Sequence, residues 1–225
     1  MSKRWVQHFV YADDTLLLLI ATNMREANQK IKREVKQIKQ DMLNGGLLLN
    51  VGKTEIMLMK KKRDEIVPLS IEIDGRQIAI KRAIKYLGVW PDEELTWETH
   101  IKKMYEKVCK MIPKLMVLAR NTFGYSTDAR RTMLEGTIGA YMKYASVAFA
   151  HRLKYAYIAK YVKRAHRAML LCYGRLYQSV SYLPGSVICN WVPMKYALAA
   201  HAIMYARKKD ARLTGSTILQ EPSRD

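Results

Sequence analysis

The sequence predicts an α+β fold in which short strands and one long helix precede an all-helical second half. Residues 7–20 have the pattern of a β-hairpin, with apolar runs on both sides of a turn at Ala12–Asp14. Apolar residues at three- and four-residue spacing predict a helix from Asn23 to Gly45. Beyond Pro91 the apolar residues keep helical spacing almost throughout. We therefore place a structural boundary near Pro91.

The first half supplies local signals for each element. Asn23 and Glu26 stand in capping-box register at the start of the long helix. The run after Asp14 predicts a buried strand, and Asp74-Gly75 between alternating apolar residues predicts a second hairpin. Short strands are expected at 47–50, 55–60, 69–73, 77–80 and 85–90, with a turn at 51–54 and a basic cluster at 60–63.

The second half reads as four helices. They are expected at 97–118 with a kink at Pro113, from Ser126 or Thr127 to Phe149, at 153–173 with a stop at Gly174, and at 194–208. The tail from Thr214 is expected to be disordered.

The charge balance favours a polyanionic partner. The 225 residues include 39 Lys and Arg against 20 Asp and Glu, a net charge of +19. Nucleic acid is the first candidate and an anionic membrane surface the second. Between Glu135 and Asp210 no acidic residue occurs, while basic residues alternate with tyrosines. That mixture suits a phosphate backbone with stacked bases, although a solvated helical face over a Tyr-rich core gives the same pattern.

Several other kinds of site and segment are disfavoured. Cys109, Cys172 and Cys189 form no CxxC pair, which argues for a reducing compartment and against zinc or a disulfide framework. The apolar run 16–21 is far shorter than the roughly 20 residues that span a bilayer. The five histidines show no metal-ligand spacing.

Asp13 and Asp14 are adjacent carboxylates beside the most hydrophobic run of the chain. Burying an unpaired charge is costly, so the pair needs basic side chains, solvent at a turn or a metal ion. An ordinary solvated turn is one of these possibilities, because aspartate is a favoured turn residue.

The order of motifs resembles the reverse transcriptases of non-LTR (LINE-type) retrotransposons. The pieces are Tyr-Ala-Asp-Asp at 11–14, an amphipathic helix, Asn-Val-Gly-Lys-Thr at 50–54, Ile-Asp-Gly-Arg-Gln-Ile at 73–78, Lys-Tyr-Leu-Gly-Val at 85–89 and Trp-Glu-Thr-His-Ile at 97–101. Each motif alone is weak, but all occur in order and the resemblance covers nearly the whole chain. It implies a partial polymerase palm at 1–90, thumb helices at 91–150, a basic helical post-thumb region at 151–213 and a tail at 214–225.

The resemblance also implies an activity and its residues. Such enzymes use two metal ions, normally Mg²⁺ with Mn²⁺ as a substitute, to extend a DNA primer on an RNA template with deoxynucleotide triphosphates. Asp13 would be a direct ligand and Asp14 a supporting one. Lys53 would protonate the leaving pyrophosphate. Tyr11 would lie beside the primer–template end, and Tyr86, Leu87 and Gly88 would form the primer grip.

Each of these roles has a plainer alternative. Lys53 could be a solvated turn lysine, Asn50 a cap of the same turn, and residues 86–88 a core strand. Further along the chain, five basic residues are expected to contact the nucleic-acid backbone: Lys143, Lys160, Lys163, Arg164 and Arg167.

The chain also departs from the family pattern, because no aspartate precedes Asp13 and no fingers region precedes the palm. We therefore expect a truncated part of a longer polyprotein, inactive as a polymerase by itself, intracellular in the nucleus or cytoplasm, and with no membrane partner. Two alternatives stay open: a group II intron maturase-like reverse transcriptase, and a non-catalytic basic nucleic-acid-binding remnant.

Overall fold

The computed structural model describes residues 6–59, 71–73, 75–118 and 126–218. The chain divides into two compact units, Met1–Leu95 and Thr96–Asp225. The division falls a few residues after Pro91, where the sequence pattern changes. The basic cluster 60–63 and Asp74 lie outside the described residues.

The first unit begins with the predicted hairpin, which is confirmed. Strand β1 (Val6–Tyr11) pairs antiparallel with β2 (Asp14–Leu19), with Val6 opposite Leu19 and Tyr11 opposite Asp14. The prediction of a buried strand is wrong, because Leu16–Leu19 are only half-buried. Among the described residues this hairpin pairs with no further strand. Its apolar side chains are therefore covered on fewer sides than those of a central strand.

Helix α1 (Met24–Asn44) begins at the predicted cap. The Glu26 amide donates to the Asn23 side chain at 2.9 Å, and the Glu26 carboxylate accepts from Thr22 N at 2.8 Å. A hydrogen bond from Lys30, followed by those from Thr22, lowers the pKa of Glu26 to about 2. In this capping box the Glu26 carboxylate thus accepts from the amide of Thr22, the residue before the cap, rather than from the amide of Asn23 itself.

Helix α1 ends in a Schellman motif at Gly46. Gly46 has φ +73, and the Leu47 amide donates to Met42 O at 2.8 Å. Residues 47–50 follow as irregular chain, so the strand expected there is absent from the structure. The reason is that the Schellman turn leads directly into a 3₁₀ turn at Val51–Lys53.

The rest of the first unit consists of short strands. Strand β3 (Ile56–Met57) pairs parallel with β6 (Ile80–Lys81), and β4 (Ile71–Ile73) pairs antiparallel with β5 (Arg76–Ile78). Gly75 has φ +74 in the predicted second hairpin. The core here is small: Ile73 and Ile78 are buried, with half-buried residues of α1 and of segment 49–56 around them.

The second unit is helical in its described part. Its helices are α2 (Glu98–Leu118), α3 (Thr127–Leu134), α4 (Ala140–Lys143), α5 (Ser146–Phe149), α6 (Ala156–Gly174), α7 (Tyr182–Ile188) and α8 (Met194–Ile218). One continuous core joins them, in which the largest fully buried side chains are Ile101, Met104, Leu134, Ile138, Met142, Phe149, Ile158, Met169, Leu170, Met194 and Leu198.

The single helix predicted up to Phe149 is wrong. A π-helical turn at Glu135–Gly139 separates α3 from α4, and Ala145 in the left-handed region (φ +54) separates α4 from α5. Two glycines lie in the π turn, and the Thr137 hydroxyl donates to Met133 O at 2.6 Å. Weak helix formers and back-bonding of this kind bend helices.

The C-terminal part also differs from the prediction. The stop at Gly174 is confirmed, with Arg175 in the left-handed region (φ +50). Helix α7 was not predicted. Helix α8 continues to Ile218, past the start of the tail expected at Thr214, although residues 214–218 are weak helix formers. Of the helices in the described ranges, none has the length and apolar character that a bilayer crossing requires.

Candidate functional site

The β1–β2 turn presents two carboxylates to solvent. Its two loop residues are Ala12, with φ +48, and Asp13, and Asp14 opens β2 opposite Tyr11. Asp13 and Asp14 are both exposed, and Tyr11 is 65% exposed. The two-residue loop thus places both carboxylates at the exposed end of the hairpin.

Helix α1 contacts the hairpin in β1 and at the residue that follows β2. His8 Nε2 lies 3.2 Å from Glu34 Oε2, and the Lys30 ammonium donates to Ile20 O at 3.0 Å. The turn itself lies at the far end of the hairpin from Ile20. The contacts with α1 therefore fix the strands while leaving the carboxylates open to a ligand.

The donor set suits a hard cation with further oxygen ligands. Carboxylate oxygens are what Mg²⁺ prefers, and Mg²⁺ sites commonly use one or two carboxylates completed by phosphates and water. In the described ranges no group of three or more His, Cys, Asp or Glu side chains could enclose a metal ion. Asp13 and Asp14 therefore fit a shared, open site rather than a protein cage.

Lys53 lies exposed at the end of the 3₁₀ turn Val51–Lys53. Its amide and the Thr54 hydroxyl both donate to Asn50 O, each at 3.1 Å. Asn50 makes no side-chain cap, so its carbonyl rather than its amide group holds the turn. The expected cap by the Asn50 side chain is wrong.

Residues 86–89 form a tight turn instead of the strand predicted at 85–90. Tyr86 and Val89 exchange both backbone hydrogen bonds at 2.9 Å. The central residues Leu87 and Gly88 have φ +44 and +82, as a type I′ turn requires. The strand prediction is wrong because residues 86–89, whose apolar and aromatic side chains favour a strand, form a turn that reverses the chain.

The three turns are separate local structures of the first unit. No hydrogen bond or ion pair among the described residues joins Asp13, Lys53 and Tyr86 to one another. The catalytic and primer-binding roles of these residues stay predictions.

Helix α6 carries a row of basic side chains opposite its buried face. Lys160, Lys163 and Arg164 are exposed, while Ile158, Val162, Ala165 and Met169 are buried. Like charges at this spacing destabilise a helix, and this helix contains no acidic residue to offset them. Such uncompensated charge is typical of a surface that binds an anion.

Arg167 continues this row but is engaged within the fold. Its Nε and Nη2 donate to Val180 O at 3.2 and 2.9 Å, and Nη2 also donates to Gln178 O. The guanidinium thus holds the segment between α6 and α7. Lys143, the fifth predicted contact, is half-buried on α4.

The structure shows which aromatic residues lie beside the basic row of α6. Tyr161 lies beside Tyr105 of α2, with 5.9 Å between ring centroids, and the ammonium groups of Lys160 and Lys102 lie 5.1 and 5.8 Å from its ring. A hydrogen bond to Glu98 raises the pKa of Lys102. In the sequence Tyr161 directly follows Lys160 and Tyr105 lies one turn after Lys102, but only the fold brings these two pairs together.

Comparisons with known proteins point to one class of element. A "Retrovirus-related Pol polyprotein from type-1 retrotransposable element R1 4" of Nasonia vitripennis is 25% identical over 94% of this chain and 58% of its own length. A second such polyprotein of the same wasp, from element R1 2, is 25% identical over 88% of this chain and 50% of its own length.

A third relative comes from the same type of element. The "Putative 115 kDa protein in type-1 retrotransposable element R1DM" of Drosophila melanogaster is 25% identical over 91% of this chain and 20% of its own length. The chain thus spans about half the length of the first two relatives. No protein-family model and no solved structure matches it. Over most of its length the chain is thus similar, at 23–25% identity, to proteins of R1 retrotransposable elements, which supports a non-LTR retrotransposon protein.

Proposed function

We propose that this chain serves RNA-directed DNA synthesis, with the β1–β2 turn as part of a two-metal polymerase site. The observation that carries the proposal is the pair of adjacent exposed carboxylates, Asp13 and Asp14, at the hairpin turn that follows Tyr11. Its relatives are named as Pol polyproteins, which supports the same assignment.

Asp13 and Asp14 would hold Mg²⁺, or Mn²⁺ in its place. Bound metal would supply charge stabilisation to the primer 3′-oxygen and to the triphosphate. Since the described residues offer two adjacent carboxylates here and no larger group, the remaining ligands would come from nucleotide phosphates, water or further parts of a longer protein.

The neighbouring residues have positioning and proton-transfer roles in this proposal. The exposed Lys53 ammonium would donate a proton to the leaving pyrophosphate. The ring of Tyr11 would contact the terminal primer base. The Tyr86–Val89 turn, with Gly88 lacking a side chain, would let the primer backbone approach closely.

A metal-binding titration tests the carboxylates directly. Electron paramagnetic resonance of free Mn²⁺ measures binding to the whole chain and to Asp13→Asn and Asp14→Asn. We expect each variant to weaken Mn²⁺ binding at least about ten-fold, since each removes one of two first ligands. Asp41→Asn is the matched control, because Asp41 is an exposed carboxylate of the same unit. Equal binding by all four proteins contradicts the metal assignment.

A second candidate function is non-catalytic binding of nucleic acid by the second unit. The exposed row Lys160, Lys163 and Arg164 favours it, because α6 contains no acidic residue that would neutralise these charges. Fluorescence anisotropy with an RNA–DNA duplex over a salt series measures it. We expect the triple Gln variant of this row to reduce the slope of log K against log salt by about 2 to 3.

The control for this series is a triple Gln variant of Lys32, Arg33 and Lys36 on α1, which removes the same residue types from exposed positions. Its slope should stay at the wild-type value. Equal slopes for both triples contradict the α6 surface. If the chain binds the duplex but binds no Mn²⁺, the result favours non-catalytic nucleic-acid binding over a polymerase function.

A further inference from the structure

A cavity of about 180 Å³ lies in the second unit between the π-helical turn and the segment that joins α7 to α8. Gly139 and Glu135 of the π turn, Arg131 of α3 and Lys143 of α4 line one side, and Trp191 lines the other. Small-molecule sites commonly begin at roughly 300 Å³. The cavity therefore suits one ring system rather than a larger ligand.

The sequence shapes both sides of this cavity through special backbone. A π turn interrupts a helix and is frequent at functional sites. Asn190, with φ +47, ends α7 in a Schellman motif in which Trp191 N donates to Ser186 O at 2.8 Å. That turn directs Trp191 back to the helices, where its ring meets Tyr173 edge-on with 5.1 Å between centroids.

Arg131 and Trp191 form a fixed planar pair at the cavity. The Arg131 guanidinium carbon lies 5.0 Å from the centre of the Trp191 ring. Arg131 Nε donates to Glu135 at 3.3 Å and Nη2 donates to Asn190 O at 3.2 Å. The guanidinium is thus held in place while 36% of its side chain stays exposed. Indole rings and guanidinium planes are the surfaces on which unpaired bases stack.

The charge of the cavity favours an anion. Glu135 is already paired with Arg131, which leaves the Lys143 ammonium uncompensated among the described residues. No acidic residue follows Glu135 in the sequence until Asp210. A planar group with a negative charge close to it is therefore the complementary ligand.

We propose that this cavity binds one unpaired nucleotide of a single-stranded nucleic acid. The base lies against the Arg131–Trp191 pair and the phosphate contacts Lys143. The inference rests on the proposed nucleic-acid function and adds to it a preference for single strands. A paired base cannot enter, since its edges and faces are occupied within the duplex.

Two variants test the cavity without removing the planar pair. Lys143→Gln removes the phosphate contact. Gly139→Ala narrows the cavity, and its methyl group would meet only Leu134 O and Glu135 Cβ, at 3.6 and 3.8 Å, so the fold tolerates it. The controls are Lys110→Gln, an exposed lysine on α2, and Gly136→Ala, whose methyl group would meet nothing within 4 Å.

The probe is a short fluorescein-labelled single-stranded DNA, alone and annealed to its complement. Anisotropy with the full chain gives both affinities. We expect each cavity variant to weaken single-strand binding about five- to a hundred-fold, with duplex binding within two-fold of its control. Trp191 fluorescence should fall on single-strand binding, a change that Trp191→Phe removes.

The outcomes separate the two proposals. If the wild-type chain binds neither probe, the nucleic-acid function and the cavity assignment both fail. If it binds both probes but the cavity variants lower both affinities as much as their controls do, only the cavity assignment is overturned.

Discussion

At the scale of single residues, Gly174 marks a close approach between the end of α6 and the residue that caps α7. A Cβ atom built on Gly174 would lie 2.9 Å from Cys189 Sγ and 2.9 Å from Leu176 Cγ. Real Cβ atoms do not come so near, so a side chain there would force both neighbours apart. The glycine is required by this contact, although it also lies where a helix is expected to stop.

We predict that Gly174→Ala destabilises the second unit by about 1 to 3 kcal/mol. Urea unfolding followed by circular dichroism measures this as a lower midpoint. Gly136→Ala is the matched control, because a methyl group there meets nothing within 4 Å. It should leave stability unchanged or raise it by up to about 1 kcal/mol. Equal midpoints for the two variants would show that the contact with Cys189 does not constrain the fold.

Two histidines are buried in the second unit as neutral rings. His100 lies between Trp97 and Phe149, and His166 contacts the Tyr182 hydroxyl at 3.0 Å and the Trp191 ring. Burial lowers the pKa of each histidine to about 4, from an ordinary value of 6.5. The unfolded chain therefore takes up protons at a higher pH than the folded unit does.

The second unit should consequently lose stability as the pH falls from about 6.5 to about 4. Above that window both states are neutral at these rings, and below it both are protonated. The loss is of the order of 3 kcal/mol for each histidine. Urea midpoints measured across this range check it. His100→Leu keeps the apolar contacts and removes one titrating ring. The number of protons taken up on unfolding, which sets the slope of stability against pH, should therefore fall by about one. An unchanged slope would exclude His100 as a contributor.

At the scale of elements, the Tyr86–Val89 turn carries a local cost. Its first central residue is leucine with φ +44, where asparagine or glycine is preferred. The position is the predicted primer grip, and backbone strain often persists where function requires a particular turn.

We predict that Leu87→Asn stabilises the first unit by about 1 kcal/mol. The asparagine tolerates the left-handed region and favours the same turn. Thermal unfolding monitored by circular dichroism measures the gain. Leu48→Asn is the control, at an exposed leucine without positive φ, and it should give no comparable gain. A loss of stability on Leu87→Asn would mean that the packing of Leu87 outweighs its backbone strain.

Elements with a complete local signal were predicted well. Helix α1 has its cap, its amphipathic period and its terminal glycines within the sequence itself, and the structure uses all of them. The π turn and α7 were missed because their causes are weak locally. Glycines and a threonine allow a π turn but do not require it, and Ser181 precedes α7 without making a side-chain cap.

At the scale of the whole molecule, the two units differ in how much they bury. In the described residues the first unit has Ile73, Ile78 and Ala27 as its buried apolar side chains, while the second has a continuous core drawn from α2 to α8. Small cores leave little surplus over conformational entropy.

Native-state hydrogen exchange should therefore give two levels of protection. We expect amides of α6 to exchange only through global unfolding of the second unit and those of β1 to exchange through a much smaller opening. Mass spectrometry of peptic peptides after a deuterium pulse measures both. Internal comparison with α2, which belongs to the same core as α6, provides the control. Uniform protection across β1 and α6 would contradict two levels of stability.

The sequence predicted the separate local features of the candidate sites but not the contacts between residues far apart in the chain. The hairpin turn at Asp13 and Asp14 follows from two apolar runs around turn-forming aspartates, and the exposed row on α6 follows from helical spacing. The sequence did not find the internal use of Arg167 or the Arg131–Trp191 pair, because the partners in each case are brought together only by tertiary packing.

The sequence by itself determined the relationship to R1 Pol polyproteins, the hairpin with its carboxylates, the caps of α1 and the basic charge of the second half. These features depend on neighbouring residues or on the order of motifs. Only the tertiary structure decided which lysines and arginines are left for a ligand, that residues 86–89 form a turn rather than a strand, and that a cavity forms beside Trp191. Those outcomes depend on contacts between residues far apart in the chain, whose packing free energy exceeds local preference.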